Sequence, residues 1–208
     1  MADKQTLLIT AALAIVIIAA IGVMIYVNLP TGENTLEDSS QETDDSVDDS
    51  FLKNATFQCI YGKNQKTYTV AELEKIQQYD GTGSKIKTGM FPQIIIDGPY
   101  SFSGVKITTL LDDVDVNDPN YTVCITSSDG YQSNLTYNEI QGEIPVYNTT
   151  GEIIRNDNVT IMLAIKENGE YITEDDGGPF KVVIVGEDAI TSSSYWPKWA
   201  VSLEIIEG

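Results

Sequence analysis

Apolar and polar residues alternate with a period of two along most of the chain beyond residue 55, which is the pattern of half-buried β-strands. Two short stretches, 70–76 and 107–111, have helical spacing instead. The alternating segments stand between turn residues, at 56–62, 67–70, 93–98, 121–128, 160–169, 180–186 and 199–206. The pattern predicts one α+β, mostly β domain, and no repeat of about 20–50 residues indicates a solenoid or propeller.

The N-terminal part of the chain is apolar without alternation. Leu7 to Val27 is a run of twenty-one residues without a charge. As a helix it is about 31 Å long, which matches a hydrocarbon core of about 30 Å. We interpret 7–28 as one uncleaved transmembrane anchor. A cleaved signal peptide is the alternative, but its apolar region normally has only about 7–15 residues and a small-residue cleavage site follows it.

The orientation of this anchor is inferred from the charges that flank it. Lys4 is the only basic residue before the apolar run, and positively charged flanks tend to stay cytoplasmic. We therefore expect a single-pass cell-membrane protein, with residues 1–6 cytoplasmic and the C-terminal domain extracytoplasmic at the cell surface. Five N-x-[ST] sequons agree with this side and permit glycosylation, at Asn54, Asn120, Asn134, Asn148 and Asn158.

A strongly acidic segment follows the apolar run. Pro30 to Ser50 has eight acidic residues and no basic one. Such a segment cannot bury enough apolar surface to offset its ordering entropy, so residues 29–52 are predicted to be a disordered stalk. A specific acidic recognition tail is the alternative. The folded domain is predicted to occupy 53–208.

Net charge limits the partners of the protein. The chain has a formal net charge of −19, and the part beyond residue 50 still has twenty-two acidic against eleven basic residues. Binding to a phosphate backbone requires a basic face, which argues against nucleic acid as a partner. The predicted contacts are the membrane through Leu7 to Val27, and an extracellular protein or small ligand whose identity the charge does not specify.

Six segments between Thr67 and Ile206 occur in an order typical of one known family. The first is a strand that leads into a short helix, TYTVAELEKI at 67–76. The others are FSGVKI at 102–107 with Leu110-Leu111, SDGY at 128–131, Leu163-Ala164 with Asn168-Gly169, GGPFKVV at 177–183, and Trp199-x-x-x-Leu203-x-Ile205. In this order the chain resembles the oxidoreductase molybdopterin-binding domain of sulfite-oxidase-like proteins.

The resemblance implies oxidoreductase chemistry at molybdenum, or alternatively tungsten, held by a pterin dithiolene and one cysteine thiolate. In the family that cysteine precedes the aromatic-x-Gly-Val segment, which corresponds to Gly81 to Ser101 here. This stretch has no cysteine, and its only sulfur, Met90, cannot supply a thiolate. Basic side chains for the pterin phosphate are also few. If the cofactor is retained, its candidate residues are Lys181, Arg155, Gly177 and Gly178. Lys181 follows the Gly-Gly-Pro-Phe turn where the family often has a basic residue, and Arg155 is the only arginine of the chain.

The two cysteines, Cys59 and Cys124, have three alternative roles. In an oxidising space they could close a disulfide, provided that their strand faces meet. Cys59 alternates in phase with Phe57, whereas Cys124 alternates in phase with Thr122 and Thr126. The other roles are two inert thiols, or Cys124 as a metal ligand in a divergent enzyme.

Other chemistry is limited by composition. The chain has no histidine, which excludes Ser-His-Asp and HExxH sites. Asp113, Asp115 and Asn117 begin like an EF-hand loop but lack its glycine and its final glutamate, so a polar turn is the simpler interpretation. The same holds for Glu174 to Asp176. An aromatic cluster near the C-terminus is expected to close the core or to receive a ligand, at Tyr195, Trp196, Pro197 and Trp199.

The sequence therefore favours a membrane-anchored cell-surface module with a molybdopterin-binding-like fold and no cofactor, which acts in ligand or protein binding rather than as an enzyme. The first alternative is a divergent molybdopterin-dependent oxidoreductase. The second is an acidic envelope scaffold that binds calcium.

Overall fold

The computed structural model describes residues 49–87, 94–116 and 119–208. The predicted anchor at 7–28 and most of the predicted stalk lie outside these residues. Within the described part of the chain, no helix is long and apolar enough to cross a membrane.

The described chain contains four short α-helices, one 3-10 helix (Ser193–Tyr195) and thirteen strands. The helices are α1 (Asp49–Asn54), α2 (Val70–Leu73), α3 (Ile107–Asp112) and α4 (Tyr137–Ile140). The strands are β1 (Thr56–Tyr61), β2 (Asn64–Thr69), β3 (Tyr79–Lys87), β4 (Ile95–Lys106), β5 (Tyr121–Ser127), β6 (Gln132–Thr136), β7 (Val146–Tyr147), β8 (Ile153–Arg155), β9 (Thr160–Glu167), β10 (Glu170–Tyr171), β11 (Lys181–Val185), β12 (Ile190–Ser192) and β13 (Ala200–Glu207).

The strands form two large sheets and one small one. The first sheet has the order β2-β1-β13-β5-β6, and only β1 and β13 in it are parallel. The second has the order β10-β9-β4-β3-β12, with β11 also paired to β9. A two-stranded sheet joins β7 to β8. The thirteen strands confirm the predicted mostly β domain, and parallel and antiparallel pairs occur together in its sheets.

One hydrophobic core contains residues from both large sheets. Phe57 of β1, Leu203 of β13 and Leu163 of β9 are fully buried members of it. The ring of Phe57 meets that of Phe180 edge to face, with centroids 5.8 Å apart. Because Phe180 directly precedes β11, this contact links the first sheet to the second.

Two helices begin where the alternating pattern changes to helical spacing. Thr69 caps α2, because its hydroxyl accepts the amide of Glu72 while the Glu72 carboxylate accepts the amide of Thr69. Helix α3 buries Ile107, Leu110 and Leu111, which confirms the helical face predicted there.

The predicted stalk ends earlier than expected. Helix α1 begins at Asp49, so residues 49–52 are helical rather than disordered. These residues are ordered because two apolar side chains are partly buried: Phe51 and Leu52 are half-buried, and Leu52 packs against the core. These two side chains supply the burial that the acidic residues before them lack.

Candidate functional site

Lys181 and Glu167 form the most buried ion pair among the described residues. Lys181 begins β11 and Glu167 ends β9, its antiparallel neighbour, and the ammonium of Lys181 donates to Glu167 Oε2. The Lys181 side chain is only 5% exposed. Its Nζ lies 5.8 Å from the centroid of the Phe102 ring. The Lys181 ammonium is therefore buried beside an aromatic ring, which is part of the aromatic wall described below.

Lys85 forms a second ion pair beside the same wall. It lies opposite Asp97 in the β3–β4 ladder, and its Nζ is 3.1 Å from Asp97 Oδ2. The hydroxyl of Tyr100 also donates to Asp97. This hydrogen bond, and then Lys85, lower the pKa of the Asp97 carboxyl below its usual value.

The wall consists of two rings that meet edge to face. The centroids of Phe102 and Trp196 are 5.5 Å apart, and Lys85 Nζ lies 5.8 Å from the Trp196 ring. Trp196 is fixed in place because its buried Nε1 donates to Thr191 Oγ1 over 2.8 Å. The predicted aromatic cluster thus divides: Trp196 closes the core, whereas Trp199 reaches a separate cavity.

Lys198 is the third lysine of this region and differs from the other two. No carboxylate of the described residues lies within 4.0 Å of its Nζ. Its alkyl chain packs on Gly177, whose φ is +98°, and a Cβ there would lie 2.6 Å from the Lys198 chain. Burial lowers the pKa of Lys198, and the charges of Lys181 and Lys85 lower it further.

We call Lys85, Lys181 and Lys198 the lysine cluster. The carboxylates that face it are Asp97, Glu167 and Asp176, of which Asp176 and Glu167 raise the pKa of Lys198. Two ammonium groups are thus neutralised by direct partners and one is not. The arrangement can attract an anion through Lys198 and hold it beside an aromatic wall.

The structure brings together some of the residues that the sequence suggested for a pterin phosphate. Lys181 belongs to the lysine cluster, and Gly177 contacts the side chain of Lys198. Gly178 has a packing role, because a Cβ there would lie 2.0 Å from the carbonyl oxygen of Ile172. Arg155 is on β8, and its Nη2 donates to the carbonyl oxygen of Glu187. Within the described chain we find no contact between Arg155 and the lysine cluster.

Sequence reasoning missed Lys85 and Lys198. The signal for Lys198 was its place between the two aromatic residues Trp196 and Trp199. Lys85 had no signal in the sequence, because its partner Asp97 is brought to it by the β3–β4 pairing.

Both cysteines are free thiols, so the disulfide alternative was wrong. Strand β13 lies between them, with Leu203 opposite Cys59 and Glu204 opposite Cys124. Successive residues of a strand face opposite sides of the sheet, so the two side chains point apart. The phase difference seen in the sequence is thereby confirmed.

Neither thiol has the environment of a metal-binding thiolate. Cys59 is fully buried and its Sγ donates to the carbonyl oxygen of Leu110 at 3.5 Å. Burial, and then the charge of Asp113, raise its pKa to about 12. Cys124 is 9% exposed on the other face of the first sheet. A thiolate ligand needs an electropositive setting. At Cys59 the charge of Lys66 lowers the pKa but is outweighed by burial and by Asp113, and the residues opposite Cys124 are Glu204 and Asn134.

The segment from Gly81 to Ser101 also fails to fit thiolate-held molybdenum. It has no cysteine, and Met90 lies outside the described residues. In its described part, a Cβ on Gly83 would lie 2.1 Å from the carbonyl oxygen of Ile184, so β3 approaches the backbone of β11 closely. Over the described chain, no three Cys, Asp or Glu side chains are grouped to hold a metal.

Two of the carboxylates considered for calcium, Asp113 and Asp176, have other partners. Asp113 accepts from Lys66 Nζ at 2.7 Å and from the Tyr68 hydroxyl at 2.8 Å. Asn117 lies outside the described residues. Asp176 accepts from the Thr173 hydroxyl at 2.8 Å, as in an ordinary turn.

The five sequons differ in accessibility. Four are exposed, namely Asn54, Asn120, Asn134 and Asn158. Asn148 is half-buried, and its Oδ1 accepts from the amides of Thr150 and Glu152 while its Nδ2 donates to Glu152. Glycosylation remains a prediction for the exposed four and is disfavoured at Asn148.

Comparisons with known proteins agree with the fold. A sequence model of the oxidoreductase molybdopterin binding domain matches residues 58–208. No match was found among curated proteins. The solved structure of the sulfane dehydrogenase SoxCD from Paracoccus pantotrophus is similar, with a TM-score of 0.55 and 15% identity over 76% of this chain and 39% of that chain.

At this identity the structural similarity shows a shared fold, and this chain spans about two fifths of the length of that neighbour. The family match is independent of it and covers more than half of the chain. The resemblance in the order of segments is thereby confirmed: the chain belongs to the oxidoreductase molybdopterin-binding domain family.

Proposed function

We propose that the domain is a binding module that uses the molybdopterin-binding fold without thiolate-held metal, and that its ligand is a small anion received at the lysine cluster. One observation carries the proposal: the chain lacks a cysteine between Gly81 and Ser101, and neither of its two thiols is placed to replace one. With the predicted anchor, the module is displayed at the outer face of the cell membrane.

The cationic side chains support an anionic ligand. In a chain of net charge −19, Lys85 and Lys181 stand largely buried beside one aromatic wall, and Lys198 is near enough for their charges to lower its pKa. Lys198 is half-buried and has no carboxylate partner in the described chain, so an entering anion gains a charge-assisted hydrogen bond without displacing a carboxylate. Lys85 and Lys181 add a longer-range attraction.

Metal and pterin analysis of the full chain, purified from its native membrane, tests the absence of the cofactor. We expect neither molybdenum nor tungsten above background and no pterin after acid oxidation. Near-stoichiometric metal together with a pterin would overturn the proposal.

Titration with orthophosphate tests the lysine cluster. We expect Lys198→Gln to weaken phosphate binding about tenfold, as for loss of a charge-assisted hydrogen bond of about 1.5 kcal/mol. Lys75→Gln, which removes an exposed lysine of the α2 region, is the matched control and should leave binding unchanged. Equal affinities of wild type and Lys198→Gln would remove the lysine cluster as the site.

The second candidate is a divergent oxidoreductase that retains the pterin. The observation in its favour is that Lys198 packs on Gly177, and that Lys181 follows the Gly177-Gly178 turn at the position where the family often has a basic residue. Bound metal that is not held by Cys59 or Cys124 would not support this candidate, because the family chemistry requires a cysteine thiolate on the metal. The same metal and pterin analysis separates the two candidates.

A further inference from the structure

Trp199 lines a cavity whose lining includes neither Phe102 nor Trp196. Its volume is about 430 Å³, which is within the range of small-molecule sites. The apolar part of its wall is formed by Phe51 of α1, Pro179, Phe180, Trp199 and Val201. We call it the Trp199 cavity. Gly178 lines it, so it lies next to the Gly177-Gly178 turn, but none of the three lysines of the lysine cluster is among its lining residues.

Trp199 is held rigidly in an unusual backbone conformation. Its φ is +49°, a left-handed value that bulky residues rarely adopt. Three hydrogen bonds fix it: its amide donates to the carbonyl oxygen of Gly177 at 2.6 Å, its Nε1 donates to that of Glu174 at 2.7 Å, and its own carbonyl accepts from the amide of Ser128 at 2.9 Å. Backbone strain of this kind concentrates at ligand sites, where it orients a side chain before the ligand arrives.

The charge of the cavity wall is negative. Among the described residues that line it, Glu174 is the only charged one, and its side chain is exposed. Asp175 and Asp176 follow it in the same turn. Lys198 contacts the Trp199 ring, with Nζ 5.7 Å from the centroid, but packs on Gly177 and is not part of the wall. The cavity therefore combines an indole, aliphatic contacts and a carboxylate.

We propose that the Trp199 cavity binds a small organic cation, an ammonium or quaternary ammonium group joined to an apolar body. The body packs on Val201, Pro179 and the indole of Trp199. The cationic end lies at the carboxylate of Glu174. The apolar body supplies most of the affinity, and the charge sets the sign of the ligand.

Charge argues against two other occupants. The residues before α1, from 30 to 48, include seven acidic side chains and no basic one, so their charge does not complement Glu174. A second copy of the chain has the same net charge of −19. Binding of a second copy would make occupancy depend on protein concentration, and that outcome would overturn the proposal.

The test uses the full chain in detergent and three probes that share a phenyl body: 2-phenylethylammonium, the neutral 2-phenylethanol and the anionic 3-phenylpropionate. Tryptophan fluorescence reports binding, because Trp199 is one of only two tryptophans and Trp196 is buried in the core. We expect the ammonium to bind tightest and the carboxylate weakest. Equal or tighter binding of 3-phenylpropionate would overturn the assignment of charge.

Two variants locate the binding. Glu174→Gln leaves the backbone carbonyl that holds Trp199 and should weaken the ammonium about two- to fivefold, while Asp175→Asn is its matched control. Val201 is 38% exposed, so Val201→Lys is compatible with folding, and it should abolish ammonium binding by placing a like charge in the wall. If Val201→Lys binds as well as wild type, the Trp199 cavity is not the site. We expect neither Glu174→Gln nor Val201→Lys to change phosphate affinity at the lysine cluster, so this test is separate from that of the proposed function.

Discussion

The ammonium of Lys181 on β11 and the carboxylate of Glu167 at the end of β9 form an ion pair in which the two side chains are 5% and 20% exposed. Burying two charges costs desolvation free energy, which their attraction repays only when both partners are present. Glu167 therefore neutralises Lys181, the most buried cation of the lysine cluster, and removal of either side chain leaves the other charge buried without a partner.

Removing one partner of this pair should destabilise the domain. Glu167→Gln leaves the Lys181 ammonium buried without a carboxylate, and we expect a loss of about 2 kcal/mol, below the range of about 3–5 kcal/mol for fully buried pairs because Glu167 is partly exposed. Urea unfolding measures the change. Lys166→Gln is the matched control, since its 3.4 Å pair with Glu74 is exposed and should contribute less than about 1 kcal/mol.

The double variant Glu167→Leu with Lys181→Met distinguishes charge from packing. We expect it to be more stable than Glu167→Gln, because neither remaining side chain carries a charge. A double variant less stable than Glu167→Gln would show that the ion pair itself contributes net stability.

Asp97 should make stability depend on acid. Its folded pKa is lowered by the Tyr100 hydroxyl and by Lys85, so its stabilising contribution is fully present above the unfolded value, near 3.8, and is lost as the pH falls through the folded pKa. We therefore expect Asp97→Asn to be less stable than wild type at pH 7 and equal to it well below the folded pKa. Paired urea titrations at both pH values measure the difference, which cancels the relief of general repulsion in this acidic chain. A constant difference would contradict the assignment.

Lys198 should lose its proton before the exposed lysines do. Its pKa is lowered by burial and by Lys181 and Lys85. In reductive methylation followed by peptide mapping, its rate should reach half its maximum at a lower pH than that of Lys75. The other lysines of the same sample serve as internal controls. An unshifted pH profile for Lys198 would show that Asp176 and Glu167 compensate the two neighbouring ammonium groups.

Strands were predictable from the sequence where apolar residues recur regularly, but not where a strand contains glycines. The apolar runs of β9, β11 and β13 were predicted close to their observed bounds. β3 was missed, because Gly81 and Gly83 are typical of turns. In the structure they allow β3 to pass against Val185 and the backbone of Ile184. This requirement comes from a strand about a hundred residues later, and no local pattern contains it.

The candidate site shows the same division. The family order of segments led to Lys181 and Gly177, whereas the pairing of Lys85 with Asp97 and the absence of a described partner for Lys198 are properties of the folded chain. Arg155 was chosen as the only arginine, and its position on β8 separates it from the lysine cluster in the described contacts.

Gly83→Ala tests the close approach of β3 to β11. The new Cβ would lie 2.1 Å from the Ile184 carbonyl oxygen, which is backbone and cannot rotate away. We expect a loss of at least about 3 kcal/mol or failure to fold, measured by urea unfolding. Gly62→Ala is the comparison, because its Cβ meets nothing within 4 Å and only its φ of +57° is strained, at about 1 kcal/mol. Similar losses for both would mean that β3 moves to accommodate the methyl group.

The two thiols should stay reduced and differ in reactivity. Cys59 is fully buried with its pKa raised to about 12, whereas Cys124 is 9% exposed on the opposite face of the sheet. After purification without reductant, alkylation in denaturant should modify both, because β13 separates them and no disulfide forms. In the native protein we expect slow alkylation of Cys124 and none of Cys59, so Cys124→Ser should abolish native labelling. Rapid labelling of Cys59, or a chain lighter by two hydrogens before reduction, would contradict this arrangement and reopen the question of a thiolate near the lysine cluster.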